Sequence, residues 1–184
     1  LTMALLLAEF RLCATGAESV GEVLRRLNER MVARSRRGTF CTAALVALDL
    51  STGTLTGANA GHHPMLRISS GRVSSLLPAS GPPLGILSGQ DWENETIVIE
   101  PGETLLLYTD GIAEARSGAV EDSEDIEVIE YGVEGLERLV HRGVDTAPRA
   151  LIDAVLADVD HYCSPRAPHD DCTMIALRYR GHGG

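Results

Sequence analysis

With 26 acidic against 16 basic side chains among 184 residues, the chain has a formal net charge of −10, and 44% of it is apolar. That length and composition describe one soluble globular domain able to bury a single sizeable core. So acidic a surface repels a phosphate backbone, which excludes nucleic acid as a partner.

Leu1 to Ala8 is mostly apolar, but it has no basic leader and is soon interrupted by Glu9 and Arg11. It falls far short of the ~20 residues of a membrane span, so no membrane segment is expected. Leu6, Phe10 and Cys13 instead mark one stripe of a helix over residues 2–15. Ser19-Val20-Gly21-Glu22 has the form of a capping box. It opens a second helix, to about residue 35, with Val20, Leu24, Leu27 and Met31 inward and most arginines outward. The pattern then changes to strands. Residues 41–50 and 54–60 are β-rich runs joined by Ser51-Thr52-Gly53, and 64–69 and 73–77 form a second pair around Ser70-Gly71-Arg72. Residues 95–99 and 104–109 follow, divided by Pro101-Gly102. Short strands with tight turns predict mainly antiparallel sheets. The acidic run over 115–131 reads as a solvated loop. Helices over 132–142 and 147–162 come next, and residues 173–179 form a last strand.

Cys13, Cys41, Cys163 and Cys172 are scattered and never form a Cys-x-x-Cys pair. Neither a zinc cluster nor a disulfide framework is indicated, and a reducing cytoplasm is the expected location.

Two segments carry chemistry. In Leu105-Leu106-Leu107-Tyr108-Thr109-Asp110-Gly111 a buried strand ends in an aspartate followed by a glycine that permits a sharp turn. In His169-Asp170-Asp171-Cys172-Thr173 two adjacent carboxylates enter the last strand. Such a pair is self-repelling unless a cation or donor compensates it, and Mg²⁺ or Mn²⁺ prefers these oxygen ligands. Each segment alone also reads as an ordinary turn or loop with solvated acids. His62 and His63, beside Asn59, Gly61 and Pro64, read as shaping a turn after a strand. Arg36 and Arg37 are either an attraction for phosphoprotein or partners of a helix dipole.

The ordered set of Phe40-Cys41-Thr42-Ala43, Ala58-Asn59-Ala60-Gly61-His62-His63-Pro64, Pro83-Leu84-Gly85, Pro101-Gly102-Glu103, Thr109-Asp110-Gly111 with Glu114, and Asp170-Asp171-x-Thr173 resembles the bacterial sporulation stage II E-type phosphatases. These are the bacterial branch of the protein phosphatase 2C-like (PP2C-like), metal-dependent class. The resemblance runs from the first helix to the last strand. It implies an α+β fold, a four-layer α-β-β-α sandwich of two mainly antiparallel sheets flanked by helices. It further implies a serine/threonine phosphatase with two Mn²⁺ or Mg²⁺ ions, whose bridging water or hydroxide attacks phosphorus. By motif match Asp110 and Asp170 bind one metal. Asp171 binds directly, through water, or orients the site, while Gly111, Thr173 and Asn59 are supporting residues.

The implied substrate is a phosphorylated STAS-type anti-sigma factor antagonist in a partner-switching pathway. The family's remaining metal ligands lie in an acidic segment and a Gly-Asp-Val-x-Gly-x-Gly motif upstream of the first helix, and residues 1–184 contain neither. The expectation is therefore a single PP2C-like domain truncated at its N-terminus, binding metal weakly and catalysing poorly as it stands. Residues 1–36 would be regulatory, connected to upstream sensory or dimerising segments through which a homodimer forms. An alternative of another class is a catalytically impaired module that docks a partner-switching protein. The residues encoded before Leu1 discriminate the two.

Overall fold

The computed structural model describes residues 2–34, 38–118, 130–165 and 170–181. Among the described residues seven strands and five helices follow one another: α1 (Thr2–Ala14), α2 (Val20–Arg34), β1 (Ala43–Asp49), β2 (Thr54–Ala60), β3 (Met65–Ser69), β4 (Arg72–Leu76), β5 (Glu95–Val98), β6 (Thr104–Tyr108), α3 (Asp110–Ala113), α4 (Gly132–His141), α5 (Pro148–Cys163) and β7 (Met174–Arg178). They form two compact units: Leu1–Pro64 with Leu77–Glu100, and Met65–Leu76 with Pro101–Gly184. Each unit holds one sheet, of order β1-β2-β5 in the first and β4-β3-β6-β7 in the second. Every ladder between these strands is antiparallel among the described residues.

In the first unit the periodic stripes of α1 and α2 build the core. Cys13, Val20, Val23, Leu24 and Leu27 cluster with Ala58 and Ala60 of β2, and with Leu84 and Trp92. The capping box is present with one change of partner. Ser19 Oγ accepts the Glu22 N–H at 3.2 Å, but the Glu22 carboxylate accepts the N–H of Glu18, at 2.8 Å, rather than that of Ser19. That bond, followed by Arg26 and Arg25, holds the Glu22 carboxyl below its ordinary pKa. Most arginines of α2 do point outward, with Arg25, Arg30 and Arg34 exposed, yet three of the four also make contacts to α1 and the turn after it. Arg30 (2.7 Å) and Arg34 both donate to Glu9, which is buried on α1, and Arg26 donates to the carbonyls of Cys13, Thr15 and Gly16. Ionic contacts between the two helices therefore supplement the apolar stripe.

The first strand is shorter than the apolar run from which it was read. Cys41 leaves the β1–β2 ladder and instead forms a two-bond bridge with Leu84, at 3.0 and 2.8 Å. The β3–β4 hairpin turns on Ser70 and Gly71 alone, at φ 49° and 73°, with Arg72 already paired to Ser69. Two successive left-handed residues are what a two-residue hairpin turn requires to match the strand twist.

In the second unit Leu66 and Ile68 of β3 and Leu106 and Tyr108 of β6 sit two residues apart, and so share a sheet face. They cluster with Leu136, Leu139 and Val140 of α4 and with Leu151, Val155 and Val159 of α5. The long acidic connection is closed at its base by an Arg116–Glu130 bridge and a Tyr131 N–H to Ala115 carbonyl bond of 2.8 Å. Glu121, Asp122, Glu124, Asp125 and Glu127, read as part of a solvated loop, lie outside the described residues, as do Arg36, Arg37 and His169. Among the described residues no helix is long and apolar enough to cross a membrane.

Candidate metal centre

The centre is assembled where β6 and β7 end side by side. Their ladder runs as far as the Tyr108–Met174 pair. Thr109 carries it one step further: its N–H donates to the Thr173 carbonyl at 3.0 Å, and its Oγ1 accepts the Thr173 N–H at 3.1 Å. The same hydroxyl donates to the Asp171 carbonyl at 3.3 Å. Thr109 occupies the N-cap position of α3 with extended backbone, yet its side chain makes no cap bond. The hydroxyl is used across the strands, which fixes the distance between the two aspartate-bearing segments.

Asp110 then begins α3, so the turn that Gly111 permits after the strand is a helical one. The Ile112 N–H bonds to the Thr109 carbonyl at 3.0 Å, and the Glu114 N–H to the Asp110 carbonyl at 2.7 Å. Gly111 keeps an ordinary helical backbone, and its need for glycine lies elsewhere. A Cβ there would stand 2.5 Å from the Asp171 carbonyl oxygen and 3.2 Å from that of Asp170. Only a residue without a side chain lets the two loops approach so closely. Cys172 adds a further tie, its thiol 3.3 Å from the Gly111 carbonyl. Burial first, and then Cys163 and the nearby carboxylates, pushes this thiol above its ordinary pKa. It stays protonated at neutral pH and acts as a donor rather than a thiolate ligand.

Asp110 and Asp170 line one cavity of ≈ 130 Å³, together with Gly111, Glu114, Ala115 and Arg116. One oxygen of each aspartate is oriented by a backbone donor: Asp110 Oδ1 by the Gly111 N–H at 3.0 Å, and Asp170 Oδ1 by the Asp171 N–H at 2.7 Å. Both aspartates are exposed to solvent. Asp171, proposed from sequence as a ligand, contributes its carbonyl to Thr109 and its N–H to Asp170, and is not among the residues lining the cavity. Thr173 supports through its backbone. Asn59 belongs to the first unit. There its buried amide donates to the carbonyls of His62 (3.0 Å) and Leu77 (2.8 Å) and accepts the His62 N–H (2.8 Å). The residues His62 and His63 thus follow a side-chain-locked turn, with His62 Nδ1 3.2 Å from Thr42 Oγ1.

Sequence reasoning did not place Glu114 or Arg116 in the site. The one-turn helix, which turns residues 114–116 back toward Asp110, is the feature that brings them in.

Among the described residues no three His, Cys, Asp or Glu side chains come together as a metal cluster. The donors present are nevertheless of one kind, carboxylate oxygens around a small polar cavity. Mg²⁺ and Mn²⁺ are commonly held by one or two carboxylates with water completing the shell, so Asp110 and Asp170 fit a hard divalent cation.

The profile of stage II sporulation protein E (SpoIIE) matches residues 1–180. The chain belongs to the SpoIIE family. A relative, Protein IcfG of Synechocystis sp., is 28% identical over 138 residues, 75% of this chain and 20% of IcfG. Phosphoserine phosphatase RsbU of Bacillus subtilis is 25% identical over 164 residues, 85% of this chain and 44% of RsbU. This member of the SpoIIE family therefore spans less than half the length of either relative. The crystal structure of the SiaA-PP2C domain of Pseudomonas aeruginosa superposes with a TM-score of 0.74 at 21% identity, over 96% of this chain and 68% of that one. That likeness shows the fold: two antiparallel sheets with helices, an α+β arrangement of the PP2C-like type, as the motifs implied.

Proposed function

We propose that residues 1–184 belong to a metal-dependent protein serine/threonine phosphatase domain working in a partner-switching pathway. The observation that carries the reading is the meeting of Asp110 and Asp170 at one cavity, on the adjoining ends of two paired strands. Family membership and a relative named as a phosphoserine phosphatase support it. The substrate is a phosphoserine or phosphothreonine on a regulatory protein, of which a phosphorylated STAS-type anti-sigma factor antagonist is the first to try.

In this reading Asp110 and Asp170 hold one Mn²⁺ or Mg²⁺, and Asp171 steadies the loop through its backbone. A bound cation supplies charge neutralisation at the phosphoryl group and a water of lowered pKa. In the hydrolysis a water oxygen forms the new bond to phosphorus and the bond to the seryl oxygen breaks. One water proton passes to that oxygen and the other stays with phosphate. The residues of the chain orient rather than react: Thr109 sets the spacing of the segments, and the Gly111 and Asp171 amides aim the carboxylates. The helices α1 and α2, tied together through Glu9, are the proposed regulatory element.

The test is phosphate release from a phosphoserine protein by the full protein with Mn²⁺, beside its Asp110→Asn variant. Release by the parent and loss in the variant are expected. No release from the parent would sink the reading. A second reading, a module that docks a partner without turning it over, is favoured by the absence of a three-ligand cluster among the described residues. It predicts stable binding of the phosphorylated partner with no phosphate released.

A further inference from the structure

The cavity that holds the two aspartates also has one cationic wall. Asp110, Glu114, Asp170 and Arg116 are all among its lining residues. An arginine that shares a cavity lining with acidic residues can pair with one of them. Yet among the described residues no ion pair involves Arg116, not even with Glu130, which lies opposite it across the bridge. The backbone that carries Arg116 is meanwhile held from several sides. It bridges to Glu130, the Ala115 carbonyl accepts the Tyr131 N–H at 2.8 Å, and the Gly118 N–H reaches the Tyr162 carbonyl at 2.9 Å. Arg116 is thus an exposed cation on a stem held by backbone bonds, lining a cavity that Asp110, Glu114 and Asp170 also line, and without an ion pair among the described residues.

A cation in that position does not help to hold another cation; it repels one. What it fits is an anion brought to the cavity from outside. A phosphoryl group presents oxygens that match the fork of a guanidinium, and these oxygens carry the charge through the transfer. We propose that Arg116 binds the phosphoryl oxygens of the substrate, and so makes the centre selective for phosphomonoesters. This assignment rests on the phosphatase reading for its substrate. The placement of Arg116 among the residues that line one small cavity with Asp110 and Asp170 predicts phosphate binding whether or not turnover occurs.

The experiment uses the full protein with Mn²⁺, a phosphoserine protein as substrate and inorganic phosphate as a separate probe. Arg116→Ala is expected to lower kcat/KM by about 10- to 100-fold and to weaken phosphate binding by calorimetry about tenfold. Arg116→Lys, which keeps charge but not the fork, should fall between. Affinity for Mn²⁺ should be tighter, because a positive charge has been removed; a merely structural role would not give that sign. Wild-type phosphate affinity in Arg116→Ala overturns the proposal. So does a joint fall of Mn²⁺ affinity and thermal midpoint in both variants. If the alanine variant fails to fold, Arg116→Gln is set beside Arg116→Lys: better phosphate binding by lysine supports the assignment, and equality overturns it. A parent that releases no phosphate but binds it through Arg116 sinks the phosphatase reading alone.

Discussion

At the scale of single residues the centre depends on two unlike properties, charge and the absence of a side chain. Asp110 and Asp170 supply the first. Asp110→Asn should weaken Mn²⁺ binding by at least about tenfold, read by calorimetry, while leaving the urea midpoint nearly unchanged, since an exposed carboxylate contributes little to the fold. Indistinguishable affinities would remove Asp110 from the ligand set. Gly111 supplies the second property. Gly111→Ala places a methyl group 2.5 Å from the Asp171 carbonyl, so either the loop or α3 must move. We expect a loss of about 1–3 kcal/mol in urea unfolding together with weaker Mn²⁺ binding. An alanine variant with parental Mn²⁺ affinity would show that the spacing of the two segments does not matter to the site. The sequence presents Asp110 and Gly111 as a strand-ending turn. What the sequence does not present is the partner of the glycine, because the Asp171 carbonyl comes from far along the chain.

The elements that hold the second unit together also set its response to pH. Tyr131, just before α4, is buried and donates through its hydroxyl to Asp158 of α5 at 2.7 Å, while Arg142 pairs with the same carboxylate. Burial first, and then the bond to Asp158, pushes the phenol well above its ordinary pKa. The folded state therefore holds this proton more tightly than the unfolded chain. The associated stability is fully present below the ordinary phenol pKa of about 10 and falls as pH rises past it. Urea midpoints between about pH 8 and pH 11 should decline in the parent and decline less steeply in Tyr131→Phe. The slope should flatten without vanishing, because Tyr108 and Tyr162 are also shifted upward, chiefly by burial. Identical slopes would mean that Tyr131 titrates alike in both states. The existence of α4 and α5 is legible in their apolar periodicity, whereas the Tyr131–Asp158 bond between them is not. It joins a residue outside the periodic pattern to one on the polar side of a helix.

Charge belongs to the whole molecule. With a formal net charge of −10 the folded chain repels itself, and compaction concentrates that repulsion. Raising ionic strength from about 0.01 M to 0.15 M shortens the Debye length from about 30 Å to 8 Å. The thermal midpoint should therefore rise over this range, as followed by circular dichroism. A falling midpoint would mean that specific pairs such as Glu9 with Arg30 outweigh the net repulsion. At this scale too the connectivity departs from what short linkers promise. β5 and β6 are separated by a short turn around Pro101-Gly102, in the manner of a hairpin, yet β5 pairs with β2 and β6 with β3 and β7.

The sequence by itself determined the character of most elements and the two acidic strand ends, because both are written locally: periodicity in apolar residues, and an Asp at the end of a buried run. The ordered motifs also carried the family, since their spacing spans the whole chain. The β1–β2 and β3–β4 hairpins are local too, and tertiary structure decided how the remaining strands pair, and with that the site. Thr109 and Asp171 stand 62 positions apart and touch only because β6 and β7 pair. The place of Arg116 depends on a one-turn helix and a single bridge, neither of which has a local signature. Pairing of this kind is selected by packing of the whole sheet face rather than by any one segment, and so it appears only in the folded chain.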